Sequence, residues 1–354
     1  MNPYKKLEPY CFWTRQVGSN SSSEIDYDPS PKFTFSREND AFATAGSCFA
    51  QHFARELKAR GGRYVVTETA HPLMSKEDNG WGTFSARYGN IYSVKQLREL
   101  LEQAFGKRKP ITDLAQRADG RWIDLLRPRA VPLGFSSRDE AIADRIFHLS
   151  QVRQIFETVN VFVFTLGLTE IWTNKSGGYA YPMCPGTAAG TFNPDDHQYR
   201  NSSFPEVYDD LMKSCHLIHS KYPSCRILLT VSPVMLVASM EQRGAIQSSV
   251  ISKSKLRLAA DEVQNKLSYV DYFPSYEIIS GPQARGRFFK DDARDVTPEG
   301  VKCVMDYFFK SRMHIEDSDI NHSDMNEQKS VEIPDIADLE AYFEVECDEI
   351  LLGS

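Results

Sequence analysis

The sequence predicts an α/β layered domain built on a mainly parallel sheet, followed by an acidic C-terminal tail. Three observations lead there. Apolar runs of strand length alternate with amphipathic helical patterns from residue 41 to residue 311. Two of the runs, Val161-Phe-Val-Phe-Thr and Arg226-Ile-Leu-Leu-Thr-Val, are apolar at successive positions, as in strands covered on both faces. A chain of 354 residues with 41% hydrophobic content also buries a large core without disulfides or a structural metal.

Residues 1–40 are rich in Pro, Ser, Asn and aromatics, have no periodicity and read as an irregular arm. Within it, Gly18–Glu24 (GSNSSSE) reads as a mobile loop. The domain, residues 41–314, opens with a buried strand, Ala41–Gly46. That strand runs at Ser47 into a helix with Phe49, Ala50, Phe53, Ala54 and Leu57 on one face, stopped by Gly61-Gly62. Tyr64–Thr67 is a second strand, and a loop with Gly80, Gly82 and Gly89 leads to the helix Ser93–Phe105. Ser137-x-x-Glu140 is a capping box for a helix reaching Phe156, after which comes the strand Val161–Thr165. Lys175-Ser-Gly-Gly is a hairpin turn, and Ser203-x-x-Glu206 opens a helix to Lys221 with Pro205 in its first turn. The strand Arg226–Val231 follows. Helices Val250–Leu267 and Pro298–Ser311, the latter capped by Thr297, flank a last strand, Val270–Ile279.

Charge and cysteine usage exclude several function classes. From Ile315 onward, 13 Asp/Glu face one basic residue, Lys329, so residues 315–354 carry −12 of the total −7 and the rest carries +5. The mildly basic body has no clustered Lys/Arg stripe, so nucleic acid is not the expected partner. The tail is either a solvated acidic segment or a docking segment for a protein partner. Seven cysteines with no C-x-x-C pair point to a reducing compartment and against a zinc ribbon. No apolar run has the length of a signal segment or membrane helix, so a cytoplasmic protein is expected.

Ligands of doubly wound sheets bind at the carboxyl ends of the strands. Gly46-Ser47, Gly167–Glu170, Ser232-Pro233 and Asp291–Asp295 fall there. In Thr44-Ala-Gly-Ser-Cys-Phe-Ala, small residues let the chain turn tightly and set Ser47 at a helix N-terminus. A serine there is either an N-cap or a nucleophile beside the positive end of the helix. Cys48 reads as a buried small residue and Cys184-Pro-Gly as a turn. His197 reads as part of a polar surface turn, and His216 and His219 as partly buried helix residues more than as metal ligands. Trp81, Trp172 and Tyr179-x-Tyr181 are either packing aromatics or a platform for a sugar or acyl chain.

Gly46-Ser-Cys-Phe-Ala spells the signature of the GSCFA family, in the SGNH/GDSL hydrolase superfamily, and the chain resembles that family well beyond it. Arg87-Tyr-Gly-Asn-Ile-Tyr, Phe164-Thr-Leu-Gly-Leu-Thr-Glu, Leu229-Thr-Val-Ser-Pro-Val, Ser252-Lys-Ser-Lys-Leu, Tyr272-Phe-Pro-Ser-Tyr-Glu and Phe289-x-x-Asp-x-Arg are similar to family blocks in the expected order. The resemblance implies a three-layer fold with a short five-stranded parallel sheet. It implies Ser47 as nucleophile, and Gly89 with Asn90 beside it as oxyanion donors. Thr169 stands where the superfamily has an asparagine donor. In the final block Asp292 is retained, but Asp295 stands where the superfamily has the base histidine. A carboxylate, with a reference pKa of about 4, is a far weaker base than imidazole. His71, in the loop after the second strand, is the best placed substitute base, with Glu170 to orient it; the alternative is a surface-loop histidine.

Two functions follow. One is a serine esterase or O-acyltransferase acting on an acyl ester, of a saccharide for example, through a Ser47 acyl-enzyme and a non-standard base, with no cofactor and no metal. The other is a non-catalytic protein of the same fold that binds a carbohydrate, an acyl ligand or a protein partner. A Mg²⁺ or Ca²⁺ site from Asp291, Asp292, Asp295 and Glu170 matches no known metal-loop spacing.

Overall fold

The computed structural model describes residues 2–18, 20, 21, 24–70 and 81–314. In chain order its elements are β1 (Phe35–Ser36), β2 (Ala41–Gly46), α1 (Phe49–Ala59), β3 (Arg63–Tyr64), α2 (Val94–Ala104), β4 (Leu114–Gln116), β5 (Trp122–Asp124), α3 (Arg138–Thr158), β6 (Val161–Leu166), β7 (Glu170–Asn174), β8 (Ala180–Tyr181), β9 (His197–Asn201), α4 (Phe204–Lys221), β10 (Arg226–Val231), α5 (Ala245–Lys266), β11 (Val270–Tyr272), α6 (Ser275–Ser280), α7 (Pro298–Arg312) and β12 (Met313–His314).

The chain is an α/β protein whose central sheet has five strands in the order β11-β10-β6-β2-β3, with every pairing parallel. Both faces are covered. Alternate side chains of β6 divide between two cores, Phe162, Phe164 and Leu166 to one side and Val161 and Val163 to the other. The first core takes Leu97 and Leu101 of α2, Ile155 of α3, Leu211 of α4 and Leu256 of α5. The second takes Phe53 and Leu57 of α1, Ile278 of α6, and Val304 and Phe308 of α7.

Helix ends follow local chemistry. Ser93 closes a reciprocal capping box with Gln96, as Ser203 does with Glu206. Ser137 caps α3 from its side chain, but the Glu140 carboxylate turns back to Ser136, so that box is not reciprocal. The predicted strand Val270–Ile279 stops at Tyr272. Pro274 offers no N–H to a ladder, and Ser275–Ser280 coils into α6 to bury Ile278 and Ile279. His197 lies in β9 rather than in a surface turn: it is buried, its Nδ1 accepts from the Asn193 N–H at 3.0 Å, and its ring meets Tyr181 edge-on.

One pairing lay outside the sequence pattern, and one hairpin, at Lys175-Ser-Gly-Gly, forms as expected between β7 and β8. The N-terminal arm contributes β1, which pairs in parallel with β12 and buries Phe35 completely. The fully buried Arg312 then pairs with Asp271 and Asp28, tying the arm to the end of α7. The antiparallel sheet β8-β7-β9 forms a flap beyond the carboxyl end of β6, with Trp172 opposite Tyr181 and Tyr199.

Candidate active site

The site is built where β2 ends. Gly46 has φ +142°, and a Cβ there would lie 2.4 Å from the Thr165 carbonyl oxygen of the neighbouring strand. Only glycine permits this bend. The Ser47 N–H then donates to Thr165 O at 3.3 Å, and Ser47 O accepts from the Ala50 N–H at 2.9 Å as α1 begins. Across the gap, Gly167 follows β6. A Cβ on it would sit 2.8 Å from Tyr92 O and 3.1 Å from Ser47 Cβ, so this glycine holds the two strand ends in contact.

Ser47 is 2% exposed, and its Oγ has no hydrogen-bond partner among the described residues. It faces a small cavity of about 10 Å³ whose wall includes Cys48, Tyr92, Gly167, Ser232 and Lys253. The ends of β2, β6 and β10 therefore converge, as the fold rule for parallel sheets requires. Lys253, on α5, is equally buried and its Nζ donates to Gly167 O at 2.7 Å. A second cavity of about 580 Å³ shares Tyr92, Leu168 and Leu236 with the first, and its largely apolar wall includes Trp172, Met183 and Phe192. That volume lies within the range of small-molecule sites, roughly 300–1,000 Å³.

The other predicted residues are dispersed. Asn90 is buried, accepts from Gln51 Nε2 at 3.3 Å through Oδ1, and lines a different cavity; Gly89 before it has φ +67°. Thr169 is buried, and its hydroxyl donates to Asn201 Oδ1 at 2.8 Å, with Ser252 Oγ 3.2 Å away. Glu170 accepts from Ser239 Oγ at 2.6 Å and from the Met240 N–H at 3.1 Å, at the wall of the large cavity. In the final loop, burial pushes the Asp292 carboxyl up, but N–H donation from Arg294 and Asp295 outweighs it and holds the group below its ordinary value. Asp295 pairs with Arg294 at 2.6 Å. His71 lies outside the described residues.

None of the six histidines among the described residues lines the Ser47 cavity. His52, about one turn along α1, is held neutral: burial first, then the Arg55 and Lys290 cations, lower its pKa to about 3. His219 stacks on Tyr269, Trp81 lies against the Arg87 guanidinium, and Tyr179 and Tyr181 both donate to Asp113. Trp172 alone of the predicted aromatic platform borders the large cavity. Lys253 escaped sequence reasoning because a lysine inside a helix carries no local mark of burial. Its one signal was its place in the Ser252-Lys-Ser-Lys block.

A buried serine at a glycine-enforced strand-to-helix turn, at the carboxyl edge of a parallel sheet, defines an α/β protein with a strand-end site. The chain belongs to the GSCFA family, whose model matches residues 41–308. No curated protein and no solved structure matches it. Among the described residues, no helix is long and apolar enough to cross a membrane.

Proposed function

We propose that the protein is a serine esterase or O-acyltransferase of the SGNH type, with Ser47 as nucleophile and Lys253 as its base. The observation that carries this reading is the shared cavity: Ser47, whose Oγ has no partner among the described residues, and the buried Lys253 line one small space, and that space adjoins a large apolar cavity. Serine–lysine pairs are a recognised variant of triad logic. The Lys253 amine, in its neutral form, takes the Ser47 hydroxyl proton as Oγ bonds to the ester carbonyl carbon. The first turn of α1 supplies the positive end of a helix dipole to the oxyanion. Collapse breaks the bond to the leaving alkoxide, which receives the proton from Lys253. Water or an acceptor alcohol then releases the acyl group by the same steps in reverse. The apolar cavity suits the acyl chain, and Trp172 at its wall offers a ring face to a saccharide. Asp295 is not assigned the base, because it pairs with Arg294 and does not line the Ser47 cavity.

One observation favours the second reading, a ligand-binding protein without chemistry. The Ser47 cavity of about 10 Å³ has room for about one water, so a tetrahedral intermediate needs the walls to move. Labelling with a fluorophosphonate decides between them. Wild type is expected to gain one adduct, mapped to Ser47 and abolished in Ser47→Ala. Lys253→Met, with its fold checked by circular dichroism, is expected to slow labelling by about 100-fold or more. Folded wild type that takes no adduct refutes catalysis and leaves the binding reading.

A further inference from the structure

The large cavity of about 580 Å³ carries a charge pattern that the chemistry at Ser47 does not use. Among the described residues its wall holds a single carboxylate, Glu170, and no Lys, Arg or His. Three aromatic rings share that wall with Glu170: Trp172, Phe192 and Tyr199.

The flap sheet brings these groups together. Glu170 and Trp172 are two positions apart in β7, so their side chains leave the same face, and Tyr199 of β9 is directly opposite Trp172. Glu170 and Trp172 are half-buried, whereas Ile171 and Thr173, which alternate with them, are buried. Phe192 joins from the loop before β9. Its ring meets Trp172 with centroids 5.3 Å apart at 77°, and the Tyr199 ring meets Trp172 at 5.8 Å and 64°. The three rings are therefore angled walls and not a flat stack. Phe192 is 43% exposed, so this corner opens to solvent.

Glu170 is held in place but not neutralised. One carboxylate oxygen accepts from Ser239 Oγ at 2.6 Å and the other from the Met240 N–H at 3.1 Å, and both donors are uncharged. The cations of this region are engaged elsewhere. Lys255 donates to Asn201 Oδ1 at 2.9 Å and Ser202 O at 2.8 Å, and Arg243 pairs with Glu241 at 2.7 Å. Glu241 also receives the Tyr199 hydroxyl, at 3.2 Å.

Aromatic ring faces attract a cation, most strongly where water is excluded. A carboxylate ligand meets the like charge of Glu170. Water or a neutral sugar solvates Glu170 but draws nothing from the charge distribution of the rings. A primary ammonium brings three N–H donors to a wall with one carboxylate, both of whose oxygens are already bonded. A quaternary ammonium has no N–H to satisfy: its methyl groups lie on the rings and its charge faces Glu170.

We infer that this cavity binds a quaternary ammonium group, with Trp172, Phe192 and Tyr199 around the cation and Glu170 as its counter-charge. Neither the site nor its test depends on the reaction proposed at Ser47.

The test is calorimetric titration of the full chain, at neutral pH and constant ionic strength, with three probes. They are choline, ethanolamine and the neutral analogue of choline in which tert-butyl replaces trimethylammonium. Saturable one-site choline binding is expected, with a Kd below about 1 mM. The neutral analogue keeps the shape and loses the charge, while ethanolamine keeps a charge and loses the methyl groups. Each is expected to bind more weakly by about 10-fold or more. Trp172→Leu is expected to weaken choline binding by about 10-fold. Glu170→Gln, which keeps the side-chain shape, is expected to do the same while leaving the neutral analogue unchanged. This second variant decides the point should Trp172→Leu fail to fold. No saturation by choline, equal affinity for ethanolamine or the neutral analogue, or unchanged choline affinity in either folded variant overturns the inference.

Discussion

Replacing Gly46 by alanine tests the geometry that sets Ser47 without touching any reacting group. Two costs add. A non-glycine residue at φ +142° is strained by about 1–3 kcal/mol. The new Cβ also falls 2.4 Å from Thr165 O and 2.7 Å from Thr165 Cβ, inside the central β2–β6 pairing, where no flexible side chain can yield. Forcing atoms into a packed interior adds about 1–3 kcal/mol. The sum is about 2–6 kcal/mol. Gly106 is the control: it has φ +72° with nothing within 4 Å of its Cβ position, so alanine there costs strain alone, about 1–2 kcal/mol. Urea unfolding of both variants, with m-values compared to wild type, reads the difference as a shift in midpoint. Equal destabilisation of the two, within about 0.5 kcal/mol, refutes the claim that β6 closes against the turn. The same substitution displaces Ser47, so fluorophosphonate labelling is expected to fall even in the folded fraction.

Stability is also expected to decline in acid through two histidines. The folded-state values of His52 (about 3) and His148 (about 4) lie below the ordinary 6.5. Between pH 6.5 and 4 the unfolded chain binds protons that the native state refuses, so stability is complete above 6.5 and falls as pH drops, by up to about 1.4 kcal/mol per pH unit for each histidine. Thermal unfolding of wild type and His52→Gln across that window checks the sign, since the variant is expected to lose part of the slope. Ser93→Ala removes the cap and half of the reciprocal box at α2, and is expected to cost about 1 kcal/mol by urea unfolding, with no change in m-value.

Much of the fold was legible because its strands and helices state their burial locally. Val161–Leu166 is apolar at all but Thr165 and became the central strand, and Ser203-x-x-Glu206 marked its helix start through a hydrogen-bond pattern spanning four residues. The elements missed were short or non-local. Phe35–Ser36 has no periodicity, and its strand exists because Met313–His314 arrives beside it from the far end of the chain. The break between β11 and α6 was hidden inside an apolar run, where Pro274 was the one marker.

The sequence by itself determined the parallel α/β layers, the family, and Ser47 at a strand-to-helix turn, because each depends on period, turn chemistry or a contiguous motif. Tertiary structure alone decided what meets that serine. Lys253 lies 206 positions beyond Ser47 and reaches its cavity from α5, while the Thr169 hydroxyl is drawn to Asn201 and Ser252. Hydrogen-bond satisfaction is a property of three-dimensional neighbours, and no spacing along the chain encodes which donor a fold will leave unpaired.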